Sequence, residues 1–467
     1  NTGQEAAMVI YWFIGVFFLA EAIKEGIFVY SKRRLPGIQL GLCLGELLLF
    51  LMFSIIGVWG WRNSCIFPAA FLLWNLAGAW YALVRKRRKK AGSGRAVLRL
   101  LVLAFCLLPV VLFPPMKPVP VSGSYITVWT DESRVESFRD DGAFRQVAVQ
   151  FWYPATEKEE RFPLVVFSHG AFGYRMSNYS TYMELASNGY VVCSVEHPYH
   201  AIFSELEDGQ IIMADKDFIN DVFRVNEEGM PEEEVFALNR PWINLRTEDM
   251  NFVLDRIEEE CGRETADLPF RLADTQRTGL MGHSLGGAAA VTVGRGRPGV
   301  KAVVDLDGTM LGEELDYADG KYLMNTEPYP VPLLCIDTTG HYEEGLMYGD
   351  QYVNHVILAE AEEAKEIHFD DAEHMNFTDL PLFSPPLAGL LGTGKRDARE
   401  CIMTMNRVVL EYFDYYLKEK GAKGYLMDGN GMILVAKNET VRFKKNLEGF
   451  LSLFSLGEKA EGVTITN

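Results

Sequence analysis

Hydrophobic residues follow two rhythms along this chain. As far as about residue 118 they come in long runs, Ala6 to Tyr30, Ile38 to Trp61, Cys65 to Val84 and Ala96 to Pro115. A helix needs about 20 residues to cross roughly 30 Å of hydrocarbon, so these runs predict an all-α transmembrane bundle of about four helices. The first is the weakest, because its unbroken part ends at Ala20, and Glu21, Lys24 and Glu25 follow at helical spacing, to pair within a bundle or sit at the interface. Beyond the proline-rich connector Pro114 to Pro120 the apolar runs shorten to strand length. Tyr125 to Trp129 and Gln146 to Tyr153 predict opening antiparallel strands, with turn residues from Arg139 to Ala143 between them. Pro163 to Phe167, Tyr190 to Val195, the run entering Gly282, Val300 to Asp307, Val331 to Asp337 and Lys365 to Phe369 predict further strands. Residues 178–188 and Ile243 to Glu260 carry helical spacing. Strands alternating with helices imply a mainly parallel sheet covered on both faces, an α/β architecture. The predicted division is a transmembrane helical region (1–118), an α/β domain (119–420) with a possible lid insertion at 201–241, and a C-terminal extension (421–467). In that extension Asp428 to Gly431 suggests a small hairpin followed by a helix.

Charge sharpens this division. Residues 1–118 hold 14 Lys or Arg against 4 Asp or Glu, and the remainder holds 31 against 59. The acidic part argues against nucleic acid as a partner, since phosphates would be repelled. Basic clusters at Lys32-Arg33-Arg34 and Arg85 to Lys90 alternate with a loop carrying only Arg62, which places both clusters in the cytoplasm and everything after Pro115 on the extracytoplasmic side of a multi-pass cell-membrane protein. Trp59 and Trp61, and Trp80 and Tyr81, fall where interfacial aromatics belong. Glu46 lies at membrane depth without an accompanying chain of polar residues, which favours a structural or interfacial role, and Arg99 can snorkel. The later segments lie too deep in the chain to be a cleaved signal peptide, and the start, at Asn1 without an initiator Met, looks truncated. The seven cysteines, among them Cys43, Cys65, Cys106, Cys193 and Cys335, are spaced for neither zinc nor a disulfide framework and are expected to be mostly buried thiols.

The candidate chemistry centres on Gly282-His283-Ser284-Leu285-Gly286-Gly287, an apolar run, a sharp turn and a small-residue helix, which is the context a nucleophile elbow requires. Ser284 is the expected nucleophile. Acyl transfer also needs two backbone N–H groups aimed at the developing oxyanion. Leu285, next after the nucleophile, offers one, and Ala171 in the loop Ser168-His169-Gly170-Ala171 offers the other. A serine hydroxyl needs an imidazole to take its proton and a carboxylate to orient that imidazole. His341, His355, His368 and His374 follow Ser284, and His374 falls in the loop after the last strand, making it the expected base. Asp307 and Asp337 each end a strand and compete as the acid. His197 and His200 invite a metal reading that no further ligands complete, so neither metal nor cofactor is expected.

Phe167 to Gly170, Glu196-His197, the elbow, Asp307 and His374-Met-Asn-Phe-Thr-Asp379 together resemble the platelet-activating-factor acetylhydrolase family of serine esterases, over roughly residues 120–420. The resemblance implies an α/β-hydrolase fold, no metal, a triad of Ser284, Asp307 and His374, and Leu285 and Ala171 as oxyanion donors; Asp337, which the generic α/β-hydrolase order would favour, stays as the alternative acid. It also implies removal of short or oxidised sn-2 acyl groups from phospholipids, with that ester as substrate, while the apolar segments make the lipid bilayer a second expected partner. Residues 1–118 and 421–467 lie outside it. A general carboxylesterase or acyltransferase is the alternative within the enzyme class. A membrane transport or sensing protein carrying a hydrolase-like binding module is the alternative outside it.

Overall fold

The computed structural model describes residues 2–32, 36–55, 66–86, 92–112, 123–156, 160–227, 229–421, 425–428, 431–434, 441–442 and 463–466. The chain divides into two compact units, one of residues 1–119 with 380–391 and one of 120–379 with 392–467.

The first unit is built on four helices, α1 (Thr2–Tyr30), α2 (Pro36–Ile55), α3 (Ile66–Val84) and α4 (Ser93–Leu112). Phe17, Phe50, Phe71, Leu72, Leu103, Leu107 and Val110 form its core. Among the described residues, α3 and α4 are long and apolar enough to cross a membrane. The other two runs also form helices, and α1 carries Glu21, Lys24 and Glu25 within its length. These charges turn inward. Lys24 donates to Glu46 at 2.6 Å and pairs with Glu21, and Arg99 donates to Asn75 at 2.9 Å and lies 3.4 Å from Glu25. Glu46 therefore has a partner after all, supplied by a helix 22 residues earlier. Low dielectric favours such pairing over an isolated charge. Arg33, Arg34, Trp59, Trp61, Arg62, Cys65, Arg87 to Lys90 and the connector Pro114 to Pro120 lie outside the described residues. Two short helices, Leu380–Phe383 and Pro385–Leu390, belong to this unit, and the second packs on α4. The expected 119–420 domain thus gives up this segment.

The second unit is organised on a ten-stranded sheet. Its strands are β1 (Gly123–Val135), β2 (Phe144–Tyr153), β3 (Phe162–Ser168), β4 (Val191–Glu196), β5 (Ala273–His283), β6 (Val300–Leu306), β7 (Leu333–Thr338), β8 (Ala364–Phe369), β9 (Val441–Arg442) and β10 (Val463–Thr466). Their order is β1-β2-β4-β3-β5-β6-β7-β8-β10-β9. The six strands from β4 to β8 run parallel, and the pairs at both edges are antiparallel. Cover on both faces explains why the central strands are apolar throughout. Val166, Leu280, Val303 and Cys335 face one core with helices Glu232–Cys261 and Leu285–Gly296. Val165, Phe167, Met281, Val304 and Ile336 face the other, with helices Tyr179–Ser187 and Ala398–Lys418.

Two boundaries differ from the sequence expectation. The helix expected from Ile243 begins at Glu232, and Glu232, Glu233 and Glu234 form its first turn, where carboxylates complement the helix dipole. The remaining insertion holds a small hairpin (Phe203–Glu205, Ile211–Met213) and helix Lys216–Arg224. In the extension, Tyr425–Asp428 and Gly431–Leu434 pair as a hairpin, but β9 and β10 then join the main sheet. The expected helix falls largely on residues outside those described. All six described cysteines are free, with Cys43, Cys193, Cys335 and Cys401 buried.

Phe413 is fully buried on helix Ala398–Lys418 and lies where Gly279 lacks a side chain, since a Cβ there would sit 2.6 Å from its ring. Phe413→Ala should destabilise the unit by about 3–5 kcal/mol, seen in urea unfolding followed by tryptophan fluorescence. A loss under about 1 kcal/mol would mean this contact closes readily.

Candidate active site

β5 ends at His283, and helix Leu285–Gly296 begins immediately after Ser284, so one residue must reverse the chain. Ser284 does so with φ 55° and ψ −128°, a conformation that costs a side-chain-bearing residue of order 1–3 kcal/mol. Its N–H is held by the Leu306 carbonyl at 2.8 Å. The glycines around it are required by close approach. A Cβ on Gly282 would strike the Gly286 carbonyl, one on Gly286 would strike the Ser168 and His169 carbonyls, and one on Gly287 would strike the Asp305 carboxyl. Gly170 is pressed against the same turn, since its Cβ would lie 3.2 Å from that of Ser284.

The loop after β3 is fixed through its carbonyls. Arg246, fully buried, donates to the His169 carbonyl and, at 3.3 Å, to that of Gly170. The amide of Phe172, a residue at φ 58°, donates to the His200 carbonyl at 3.0 Å, and that of Gly173 donates to the Gly170 carbonyl at 3.1 Å. Among the described residues no hydrogen bond takes the Ala171 or Leu285 amide. Behind the loop, Ser168 Oγ lies 2.9 Å from His197 Nε2, and His197 Nδ1 lies 2.9 Å from Asp249, which also accepts from Arg145 at 2.7 Å. This Ser-His-Asp series is completely buried. Burial holds His197 down at about 4, even against the Asp249 hydrogen bond. His200 stacks on Phe218 with ring centres 3.8 Å apart. Thus His197 and His200 are both engaged in packing and hydrogen bonding rather than grouped as ligands.

Asp307 follows β6 at φ 53° and carries His374 on one oxygen, with His374 Nδ1 2.7 Å from Oδ2. Its other oxygen accepts from the Thr338 amide at 2.7 Å and from His341 Nδ1 at 3.2 Å. Burial alone would raise this carboxyl, but the hydrogen bonds from His341 and His374 hold it well below the ordinary aspartate range. Asp337, the competing acid, does not reach His374; it lies 3.3 Å from His341 Nδ1, and burial raises its pKa. Asp305, buried nearby with neither carboxyl oxygen hydrogen-bonded, is raised well above the usual value by burial and by the charge of Asp337. Asp307, Asp337 and His341 bring ligand atoms within 4.8 Å of one another, with His341 Nδ1 3.2 Å from Asp307. The sequence left His341 unassigned, although its spacing of four from Asp337 at the end of a strand places the two side by side once a helix starts at Thr339.

His374 opens a short helical turn, His374–Phe377, closed by a reciprocal Glu373–Asn376 cap. Its carbonyl accepts from His283 Nε2 at 3.1 Å, and the two rings lie 4.5 Å apart. Ser284, Asp307 and His374 therefore converge on one rim of the sheet. Among the described residues no hydrogen bond closes between Ser284 Oγ and His374, a link that commonly tightens only with substrate bound.

A strand order with six parallel strands, a left-handed serine between strand and helix, and a strand-end carboxylate bound to a late histidine define an α/β-hydrolase-like fold. Residues 146–430 match the family described as platelet-activating factor acetylhydrolase, isoform II. The chain belongs to that family. It is 24% identical over 288 residues to the platelet-activating factor acetylhydrolase of Bos taurus, covering 57% of this chain and 60% of that one. It is 25% identical over 284 residues to the Gallus gallus protein of the same name, covering 56% and 63%. The alignments thus span about three-fifths of those relatives. A ferulic acid esterase from Streptomyces cinnamoneus superposes with a TM-score of 0.49 at 22% identity, over 67% of this chain and 94% of that one.

The loop bearing His374 ends at Asp379, whose amide donates to the Ser177 carbonyl at 2.8 Å and whose buried carboxyl accepts from the Ser180 amide and hydroxyl, each at 2.5 Å. Burial lifts its pKa to about 7, even against those bonds, from about 3.9 unfolded. The folded state therefore holds the extra proton between these values. The stability this proton contributes is full below about pH 4 and is lost as pH rises through about 7. Asp379→Asn should remove that dependence, so that the variant's melting temperature gains on wild type between about pH 5 and pH 8. Parallel curves over that range would refute the raised pKa.

Proposed function

We propose that this chain is a membrane-anchored serine esterase that removes short or oxidised acyl groups from the sn-2 position of phospholipids. The observation that carries the chemistry is the 2.7 Å contact between His374 and Asp307 at the rim that bears the left-handed Ser284. In this reading His374 Nε2 takes the Ser284 proton as Oγ bonds to the ester carbonyl carbon. Asp307 stays ionised and stabilises the imidazolium. The tetrahedral oxyanion lies between the Leu285 and Ala171 amides, whose neighbours in the loop are already engaged with Arg246 and His200. Collapse breaks the ester C–O bond, and His374 returns the proton to the leaving alcohol. Water activated by the same imidazole then releases the acid and regenerates Ser284.

Phe172, next to Ala171, packs on Phe218 and Phe223 of the insertion, with ring centres 5.4 and 6.3 Å away. This aromatic wall beside the oxyanion loop supports a role for residues 201–224 as a lid over a compact acyl group. The name of the relatives supports an acetyl-like group on a phospholipid. The apolar helices α3 and α4 support anchoring. The basic clusters at 32–34 and 85–90 support a catalytic domain on the extracytoplasmic side, with all four N-terminal segments inserted.

Ser284→Ala should abolish hydrolysis of a short-chain p-nitrophenyl ester while leaving the melting temperature at or above that of wild type. Asp307→Asn should lower kcat by about 10⁴-fold. A panel of phospholipids graded in sn-2 length should show turnover falling as the chain lengthens. Retained ester turnover in Ser284→Ala, or failure of wild type to take up a fluorophosphonate probe at Ser284, would remove the esterase reading.

A further inference from the structure

Asp307 does not face His374 alone. Its second oxygen lies 3.2 Å from His341 Nδ1, and the same nitrogen lies 3.3 Å from Asp337. His341 Nε2 meets two hydroxyls, Tyr352 and, at 3.3 Å, Thr309. Hydroxyl oxygens can accept, so both ring nitrogens have partners suited to an imidazolium. The charged and titratable groups around this ring are Asp305 and Asp307 from the end of β6, Asp337 from β7, Tyr352 from the turn beyond helix Thr339–Tyr348, and His374 on the far side of Asp307. Glu366 on β8 lies behind Asp337. Three carboxyl groups thus share a buried site with the His341 imidazole.

We propose, resting on the esterase reading above, that His341 is a positioning residue for the catalytic acid: as a cation between Asp307 and Asp337 it pins the free oxygen of Asp307 and offsets the charge of Asp337, leaving one uncompensated carboxylate for His374. The arrangement has a directional consequence. Without the cation, Asp337 would add negative potential at His374 and compete for Asp307's proton-bearing partners. Without Asp337, the cation would act on His374 unopposed. The direction of the His341 pKa agrees with this: although burial works the other way, the hydrogen bond to Asp307 and the carboxyl of Asp337 raise it well above the ordinary histidine range.

The experiment is a double-mutant cycle read by the pH dependence of kcat/KM, whose acid limb reports the essential base of the free enzyme. His341→Asn keeps an N–H near the position of Nδ1 but loses the charge. It should move the acid limb upward by about one pH unit, a tenfold loss of activity on that limb, with kcat falling and KM nearly unchanged. Asp337→Asn alone should move the limb downward. The double variant should return it close to wild type. Limbs that stay in place in the single variants, or a loss in His341→Asn that Asp337→Asn does not recover, overturn the proposal. Should His341→Asn fail to fold, the Asp337→Asn shift decides it. Fluorophosphonate labelling in the same preparations separates the two failures. Unlabelled wild type overturns the esterase reading, whereas labelled wild type with unmoved limbs overturns only the role of His341.

Discussion

Backbone touching backbone at the end of β5 is the constraint from which the site is built. Gly282, Gly286 and Gly287 allow strand, turn and helix to approach within distances that any side chain would forbid, and Gly286 lies directly under the carbonyls of Ser168 and His169. The turn at Ser284 and the loop after β3 are therefore held in register largely through main chain. Left-handed backbone at Phe172, Ser284 and Asp307 recurs along the same rim. Each is a non-glycine residue held where it would not sit in isolation. The surrounding sheet, apolar on both faces, supplies the packing that holds them there.

Once the rim is fixed, charge must be settled in a dry environment. Behind the loop that follows β3 this is done by a chain of pairs, with Asp249 accepting from Arg145, Arg134 and His197. The neighbouring guanidinium of Arg246 is turned to the loop instead, on the carbonyls of His169 and Gly170. Buried pairs such as Arg145 with Asp249 seldom add much net stability, because desolvation offsets most of their attraction. Their value lies in geometry. With both loop carbonyls drawn toward Arg246, the peptide planes of the loop are oriented and its remaining amides face away from the guanidinium.

Local signals made much of this legible from sequence. The elbow, the loop after β3 and the apolar strands are each short stretches of chain, and their glycines and β-branched runs carry their own physical reasons. Asp307 and Asp337 could not be separated that way, because both end buried strands; what distinguishes them is the turn at Asp307, which no residue pattern displays. Contacts between distant segments were equally hidden: Lys24 with Glu46, Arg246 with the loop carbonyls, and β10 returning to β8. Val463-Thr-Ile-Thr466 does alternate in β-branched residues, so a strand was readable there even though only a hairpin and a helix were expected of the extension. The start of helix Glu232–Cys261 was missed because three successive glutamates suit both a solvated loop and a first helical turn.

Exposure along the proposed triad rises from Asp307 to His374. The Asp307 side chain is 3% exposed and that of His374 is 46% exposed. Asp307 is held by the Thr338 amide and by two imidazoles, so it cannot follow a moving partner. The backbone at His374 is held as well, by the Glu373–Asn376 cap, by the Gly394 amide on Asn376 at 2.8 Å and by His283 on its own carbonyl. What remains free to adjust is the ring of His374, pivoting on its bond to Asp307. In the proposed mechanism, closing the open link to Ser284 therefore requires a side-chain rotation rather than a loop movement, and a substrate that covers the exposed ring face would favour it by removing water from the same space.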